Sequence, residues 1–255
     1  MSRFFVYCLI ILIPFTSAKA EGLVTMLSTN SVEINSNYTG TEISIFGAVE
    51  RDAQTVIRRA PYEVVVAIKG PSSSFIVRQK EHMGLIWVNA NQQKFGLVPK
   101  FYAVISSGKF DQIVSSEQQK SLNLGLKAIT SGSTTLNDDV ETNGKAFQNA
   151  LIRLRKEQSL FKQDDDSVIM QRANTFRANL ALPAYAPLGR YEVVVYLFTG
   201  NQLLASEASG FYVRKIGFEA DTALLAHTKP FIYGVLAAFM AISVGWMASV
   251  VFKRN

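Results

Sequence analysis

The sequence holds one cysteine, Cys8, and two histidines, His82 and His227, in 255 residues. Beyond residue 8 there is then no thiol for a disulfide, a thiolate zinc site or a cysteine nucleophile. A zinc centre takes three or four clustered N, S or O ligands, and the two separated histidines do not supply them. His82 lies in the charged stretch Arg78–His82 and His227 close before Pro230, and both are expected as solvated side chains. The sequence has no Gly-x-Ser-x-Gly elbow and no glycine-rich phosphate loop. Asp164-Asp165-Asp166 lacks the alternating ligands and glycine turn of a calcium loop, and is expected as an exposed acidic turn ending a helix. Charge is scarce too: Asp, Glu, Lys and Arg make up 18% of the chain. The net charge of +6 includes Arg3, Lys19, Lys253 and Arg254 at the two ends; without them 22 basic residues face 20 acidic ones. That balance gives no basic footprint for nucleic acid. No catalytic residue, cofactor or metal ligand is assigned.

What is abundant is apolar sequence, 48% of residues, and the ends carry it in long runs. Phe4–Phe15 has no charge, follows Arg3, and precedes Ala18-Lys19-Ala20, small residues at the positions a signal peptidase reads. Residues 1–20 are expected as a cleaved signal peptide, with Cys8 leaving in it. Phe231–Phe252 has no Asp, Glu, Lys, Arg, His or Pro, and as a helix it spans about 33 Å, enough for a bilayer. Pro230 suits the first turn of that helix. Tyr233 and the Lys253-Arg254 pair suit its two interfaces. The expected topology is a single-pass protein of a bacterial inner membrane, with residues 21–229 in the periplasm, 230–252 spanning, and 253–255 in the cytoplasm. Lys229 on the outer flank is an exception to the positive-inside bias.

Between the ends, β-branched and aromatic segments bounded by turn residues predict many short strands. They are Leu23–Thr29, Glu42–Val49, Tyr62–Lys69, Phe75–Arg78, Leu85–Asn89, Tyr102–Ser106, Thr175–Leu182, Tyr191–Phe198, Leu203–Ser206 and Phe211–Ile216. Thr199-Gly200-Asn201-Gln202 predicts a hairpin turn. Gly189-Arg190-Tyr191 entering a late strand matches the tyrosine corner of immunoglobulin-like sandwiches, although no cysteine pair or strand-C tryptophan accompanies it. Helical periodicity appears in Gly144–Phe161, where Phe147, Leu151, Leu154 and Phe161 form one stripe. A weaker helix is expected near Glu117–Ile129, with Gly125 against it. Gly132–Gly144 is expected as a loop.

Two features invite a functional reading. Trp87, within Gly84-Leu85-Ile86-Trp87-Val88-Asn89, is expected in the core, with a surface contact as the alternative. Ala237, Ala241, Gly245 and Ser249 recur every fourth residue of the apolar C-terminal segment and form a ridge against which another membrane helix can pack.

The chain also resembles a family of transmembrane proteins from alphaproteobacteria. The resemblance is carried by Phe46-Gly47-Ala48, Gly70-Pro71, Gly84–Asn89, Ala150-Leu151-Ile152-Arg153-Leu154, Phe176-Arg177 and Leu182-Pro183. It continues through Pro187-Leu188-Gly189-Arg190-Tyr191, Lys215–Glu219, Tyr233-Gly234 and Gly245-Trp246. It implies a signal peptide, an exported domain and one C-terminal span. It further implies an association with sulfite-exporter-like permeases, and brings no catalytic residues.

The expected fold is therefore mainly β: an immunoglobulin-like antiparallel sandwich with a helical insertion near residues 110–165, followed by one transmembrane helix. Two small β domains separated by the helical region are the alternative. The expected function is that of a non-enzymatic, membrane-anchored accessory protein whose partner is another membrane protein. A periplasmic binding or envelope-assembly module is the second reading, and a membrane-tethered enzyme using carboxylates or a serine the third.

Overall fold

Five consecutive apolar residues, Val64 to Ile68, are fully buried, and they serve two different cores. Side chains alternate along a strand, so Val64, Val66 and Ile68 enter one core and Val65 and Ala67 the other. An unbroken apolar run of this kind belongs to a strand covered on both faces. That strand is the centre of the molecule.

The computed structural model describes residues 22–50, 61–131, 141–172 and 174–252. The expected signal peptide with Cys8, the tail 253–255 and most of the expected loop at 132–144 lie outside the described residues. In chain order the elements begin with β1 (Gly22–Leu27), β2 (Ser31–Ile34), β3 (Gly40–Glu50), β4 (Tyr62–Lys69), β5 (Ser72–Met83), β6 (Ile86–Pro99) and β7 (Tyr102–Ser106). Helices α1 (Phe110–Ile113), α2 (Ser116–Ser121), α3 (Leu126–Ser131) and α4 (Glu141–Glu157) follow. Then come β8 (Phe161–Asp164), β9 (Val168–Met170), β10 (Thr175–Pro183), β11 (Gly189–Thr199), β12 (Gln202–Lys215), α5 (Phe218–Thr228) and α6 (Pro230–Phe252).

The fold is mainly β, as expected. One sheet has the order β1-β3-β10-β9, the second β2-β12-β11-β4-β7-β8, and among the described residues β5 pairs only with β6. The first core lies between the two larger sheets, filled by Ile43, Ile45, Phe176 and Leu180 from one side and by Ile68, Tyr191, Val193 and Val195 from the other. Each such side chain stabilises the fold by roughly 1.5–3 kcal/mol through burial. The hairpin turn falls at Thr199–Gln202, with Gly200 (φ 51°) and Asn201 (φ 65°) both in the left-handed region that tight hairpins need. Tyr191 Oη donates to the Pro187 carbonyl at 2.9 Å, the back-bond expected of the Gly-x-Tyr pattern. Its ring stacks on Phe211 at 4.9 Å.

Several expectations need correction. The pairing is not wholly antiparallel, because β2 runs parallel to β12 and β7 parallel to β8. The four-residue strands β2 and β8 are too short to show a pattern of their own, and their parallel partners lie far away in sequence. The helical region is more than an insertion. It forms a third layer on the outer face of the six-stranded sheet, where Phe110, Ile113, Leu126, Phe147 and Leu151 pack on Val65, Val104, Tyr196 and Phe198. The helix expected at Glu117–Ile129 is two helices, α2 and α3, interrupted at Asn123 (φ 50°) and Gly125 (φ 90°). Gly125 N–H donates to the buried Tyr102 Oη at 2.9 Å, and a Cβ there would stand 3.0 Å from the Phe110 ring. Tertiary contact therefore decides the break.

The α4 stripe keeps Phe147 and Leu151 buried, but Leu154 is exposed and Phe161 opens β8. The helix stops at Glu157, where Ser159 takes φ 53° and Leu160 N–H returns to the Arg155 carbonyl. The acidic run accordingly does not end a helix. It turns the chain between β8 and β9, with Asp164 paired to Lys162 at 3.1 Å and Asp165 accepting from the Phe110 N–H at the start of α1.

Candidate functional site: an anchor helix and a projecting arm

β5 and β6 are expected from sequence as two fragments, Phe75–Arg78 and Leu85–Asn89. They form one long ribbon instead. Its base is fastened to the body: Val77, Phe95 and Val98 are buried in the second core, and the Arg155 guanidinium lies 4.1 Å from the centre of the Phe75 ring. Past Val77 the ribbon leaves the body. From Arg78 to Gln92 every residue is exposed except the half-buried Val88. At about 3.3 Å per residue this free part extends roughly 20 Å. A register shift between Gln79 and Lys80 marks its departure. Such an irregularity increases local twist and re-aims a ribbon.

The arm ends in a two-residue turn, Gly84-Leu85, with Gly84 at φ 66°. Around that turn Met83, Leu85, Ile86 and Trp87 are exposed, Leu85 to 98% and Trp87 to 67%. Trp87 is thus at the tip and not in the core. The core expectation failed because an apolar strand fragment carries no sign of whether anything packs on it. His82 lies directly across the ribbon from Trp87, the two rings edge to face at 5.1 Å. Behind the tip the ribbon turns polar: Arg78 Nε donates to Gln92 and Asn91 Nδ2 to Glu81 across the strands. The His82 side chain is exposed, as expected, and so is His227, which lies on α5.

The other apolar surface is α6. Its 23 residues include an 18-residue stretch with a mean hydropathy of 2.2, and none is buried against the chain. Ala237, Ala241, Gly245 and Ser249 all lie on it, exposed, and a Cβ at Gly245 would meet nothing within 4 Å. The ridge therefore has no packing partner among the described residues. α5 has no helical periodicity to predict it and leads into α6, with Lys229 (φ −135°) between them and Pro230 opening the second helix.

A family described as "Putative transmembrane protein (Alph_Pro_TM)" matches residues 22–254. The chain belongs to this family. The match covers the sandwich, the arm and α6 together, so one family embraces both apolar surfaces. No curated protein matches the chain. Membership in this family and α6 together assign the chain to a membrane, with one candidate C-terminal span.

Two further open grooves lie on the surface of the described residues. The larger, about 910 Å³, lies among α1–α4 and carries Lys120, Lys127 and Lys156 beside Asp111 and Asp165. The smaller, about 480 Å³, carries Lys69, Arg190 and Glu192. Burial raises the phenols of Tyr102, Tyr191 and Tyr196 above the ordinary tyrosine range, and none of these lines either groove.

Proposed function

We propose that the protein is a single-pass accessory subunit of a bacterial inner membrane that acts by binding and not by catalysis. Its β-rich domain lies in the periplasm and residues 253–255 in the cytoplasm. The observation that carries this reading is α6, apolar and bare along its whole length. Such a surface is satisfied by lipid, where a helix pairs its own backbone groups. The basic pair Lys253-Arg254 after α6 supports a cytoplasmic C-terminus. We read the two sheets as an immunoglobulin-like sandwich, a binding scaffold. In support, β1-β3-β10-β9 corresponds to the A-B-E-D order and β12-β11-β4 to G-F-C, with Tyr191 at the corner position.

The partner proposed for α6 is another membrane protein, of the multi-span permease kind, approached along the Ala237–Ser249 ridge. A second reading, an envelope-assembly module that pairs with client strands, is favoured by one observation. Among the described residues no third strand joins the β5–β6 ribbon, and ribbons of this length accept added strands at their edges. Protease added to intact spheroplasts tests the topology. It is expected to digest the chain up to Pro230, and a domain that survives until the cells are lysed overturns the orientation.

A further inference from the structure

The arm's tip is apolar in a way that selects its surroundings. Residues opposite each other on a ribbon share a face, and successive pairs alternate. Met83 and Ile86 therefore lie on one face and Trp87, with His82, on the other, while Leu85 caps the end. A protein groove receives one face of a ribbon and leaves the other wet. A fluid apolar phase surrounds both. The apolar zone is also short. The first charges behind the tip are Glu81 and Lys80 on β5, followed by Arg78, with Asn89, Asn91 and Gln92 opposite on β6. Two to three residues of extended chain measure about 7–10 Å, the depth to which interfacial segments enter the headgroup–acyl boundary. Tryptophan is enriched at that depth, because its ring is apolar and its N–H wants a wet partner. Arg78 and Lys80 outnumber Glu81, whose carboxylate accepts from the Asn91 amide, so the belt is net positive and suited to anionic headgroups.

We propose that the tip Met83–Val88 of the β5–β6 arm inserts shallowly into a lipid bilayer, as a second membrane contact of the chain beside α6. The inference rests on α6 being an anchor. The anchor holds the domain at a membrane, so a tip of modest affinity engages at high effective concentration. The two contacts brace the domain against the lipid surface, where α6 alone leaves it free to swing.

Tryptophan fluorescence tests this on the full chain. The sequence has two tryptophans, and Trp246→Phe leaves Trp87 as the sole emitter. In proteoliposomes of phosphatidylcholine and phosphatidylglycerol, brominated acyl chains are expected to quench Trp87, its emission to shift to the blue, and acrylamide to lose access to it. Adding Leu85→Asp and Ile86→Asp to that chain is expected to abolish bromine quenching and restore acrylamide access. Their side chains are exposed, so the thermal unfolding midpoint is expected to stay in place. Flotation of the vesicles reports α6 separately: a chain that fails to float defeats the anchor reading, not the tip. A chain that floats with Trp87 open to acrylamide and untouched by bromine overturns the proposal. Shielding from acrylamide without bromine quenching overturns it equally, and assigns the tip to a protein surface.

Discussion

The two apolar runs Val64–Ile68 and Met83–Val88 lie on neighbouring strands of one chain and have opposite fates. In β4 every residue of the run is covered, on one face by the four-stranded sheet and on the other by helices and the base of the ribbon. At the end of the arm the residues at the tip stand in the open on both faces. The composition of the two stretches is alike; what differs is the flanking architecture. β4 is hydrogen-bonded on both edges, to β11 and β7, whereas among the described residues the arm pairs only with itself. An apolar run thus states that something must cover it, and the topology states whether the chain does so itself.

The comparison is broken most sharply at a matched pair of isoleucines. Ile68→Ala, in β4, is expected to cost about 2–5 kcal/mol through lost transfer energy and the cavity left behind. Ile86→Ala, at the tip, is expected to stay within about 0.5 kcal/mol. Urea unfolding measures both, and equal losses would mean that the tip is packed after all.

A second test concerns the small-residue ridge of α6. Gly245→Leu is expected to reduce association of α6 roughly tenfold, because interhelical contacts in membranes contribute about 1–2 kcal/mol. Ala238→Leu and Ile242→Leu, on another side of the helix, are expected to change nothing. Equal complex yields for all three in a membrane association assay would reduce the ridge to ordinary anchor surface.

The smallest effect belongs to the corner. Tyr191→Phe removes the bond to Pro187 and is expected to cost about 0.5–1.5 kcal/mol, read as a shift in the urea midpoint with an unchanged slope. The same variant carries a pH signature. Burial, with the Tyr38 phenol nearby, raises the folded-state pKa of Tyr191 above the ordinary value of 10.0. The unfolded chain therefore gives up this proton first. The contribution is whole below pH 10 and falls as the pH climbs towards the raised value, by about 1.4 kcal/mol per pH unit. Tyr191→Phe should accordingly lessen alkaline destabilisation, and an unaltered alkaline limb above pH 10 would contradict the burial of a neutral phenol.

Much of the body was legible because its signals are local. Tyr62–Lys69, Tyr102–Ser106 and Tyr191–Phe198 fall where β-branched and aromatic runs placed them, and the turn at Gly200-Asn201 and the corner at Tyr191 follow from residue chemistry alone. The membrane segment was legible for the same reason, since no soluble surface needs so many uncharged residues together. What escaped was decided at a distance. Nothing in Ser31–Ile34 announces a parallel partner at Tyr212–Lys215, and nothing in Gly125 announces the phenol of Tyr102. Trp87 escaped differently. Its neighbours specify a strand correctly, but exposure is a property of what lies beside a strand.

The order in which these parts acquire their shape follows from sequence separation. The sandwich closes only when Tyr62–Lys69 meets Glu192–Thr199 and when Thr41 meets Leu182, so its sheets wait for most of the chain to be made. The ribbon waits for nothing. Met83 and Ile86 are neighbours across a two-residue turn, and hairpins of this kind close in roughly 1–10 μs. The nascent chain therefore opens and closes an arm with a sticky end through the period in which the core that holds its base is unformed. Early burial of that end would compete with correct assembly, and in that interval the polar and charged residues behind the tip act as gatekeepers against aggregation.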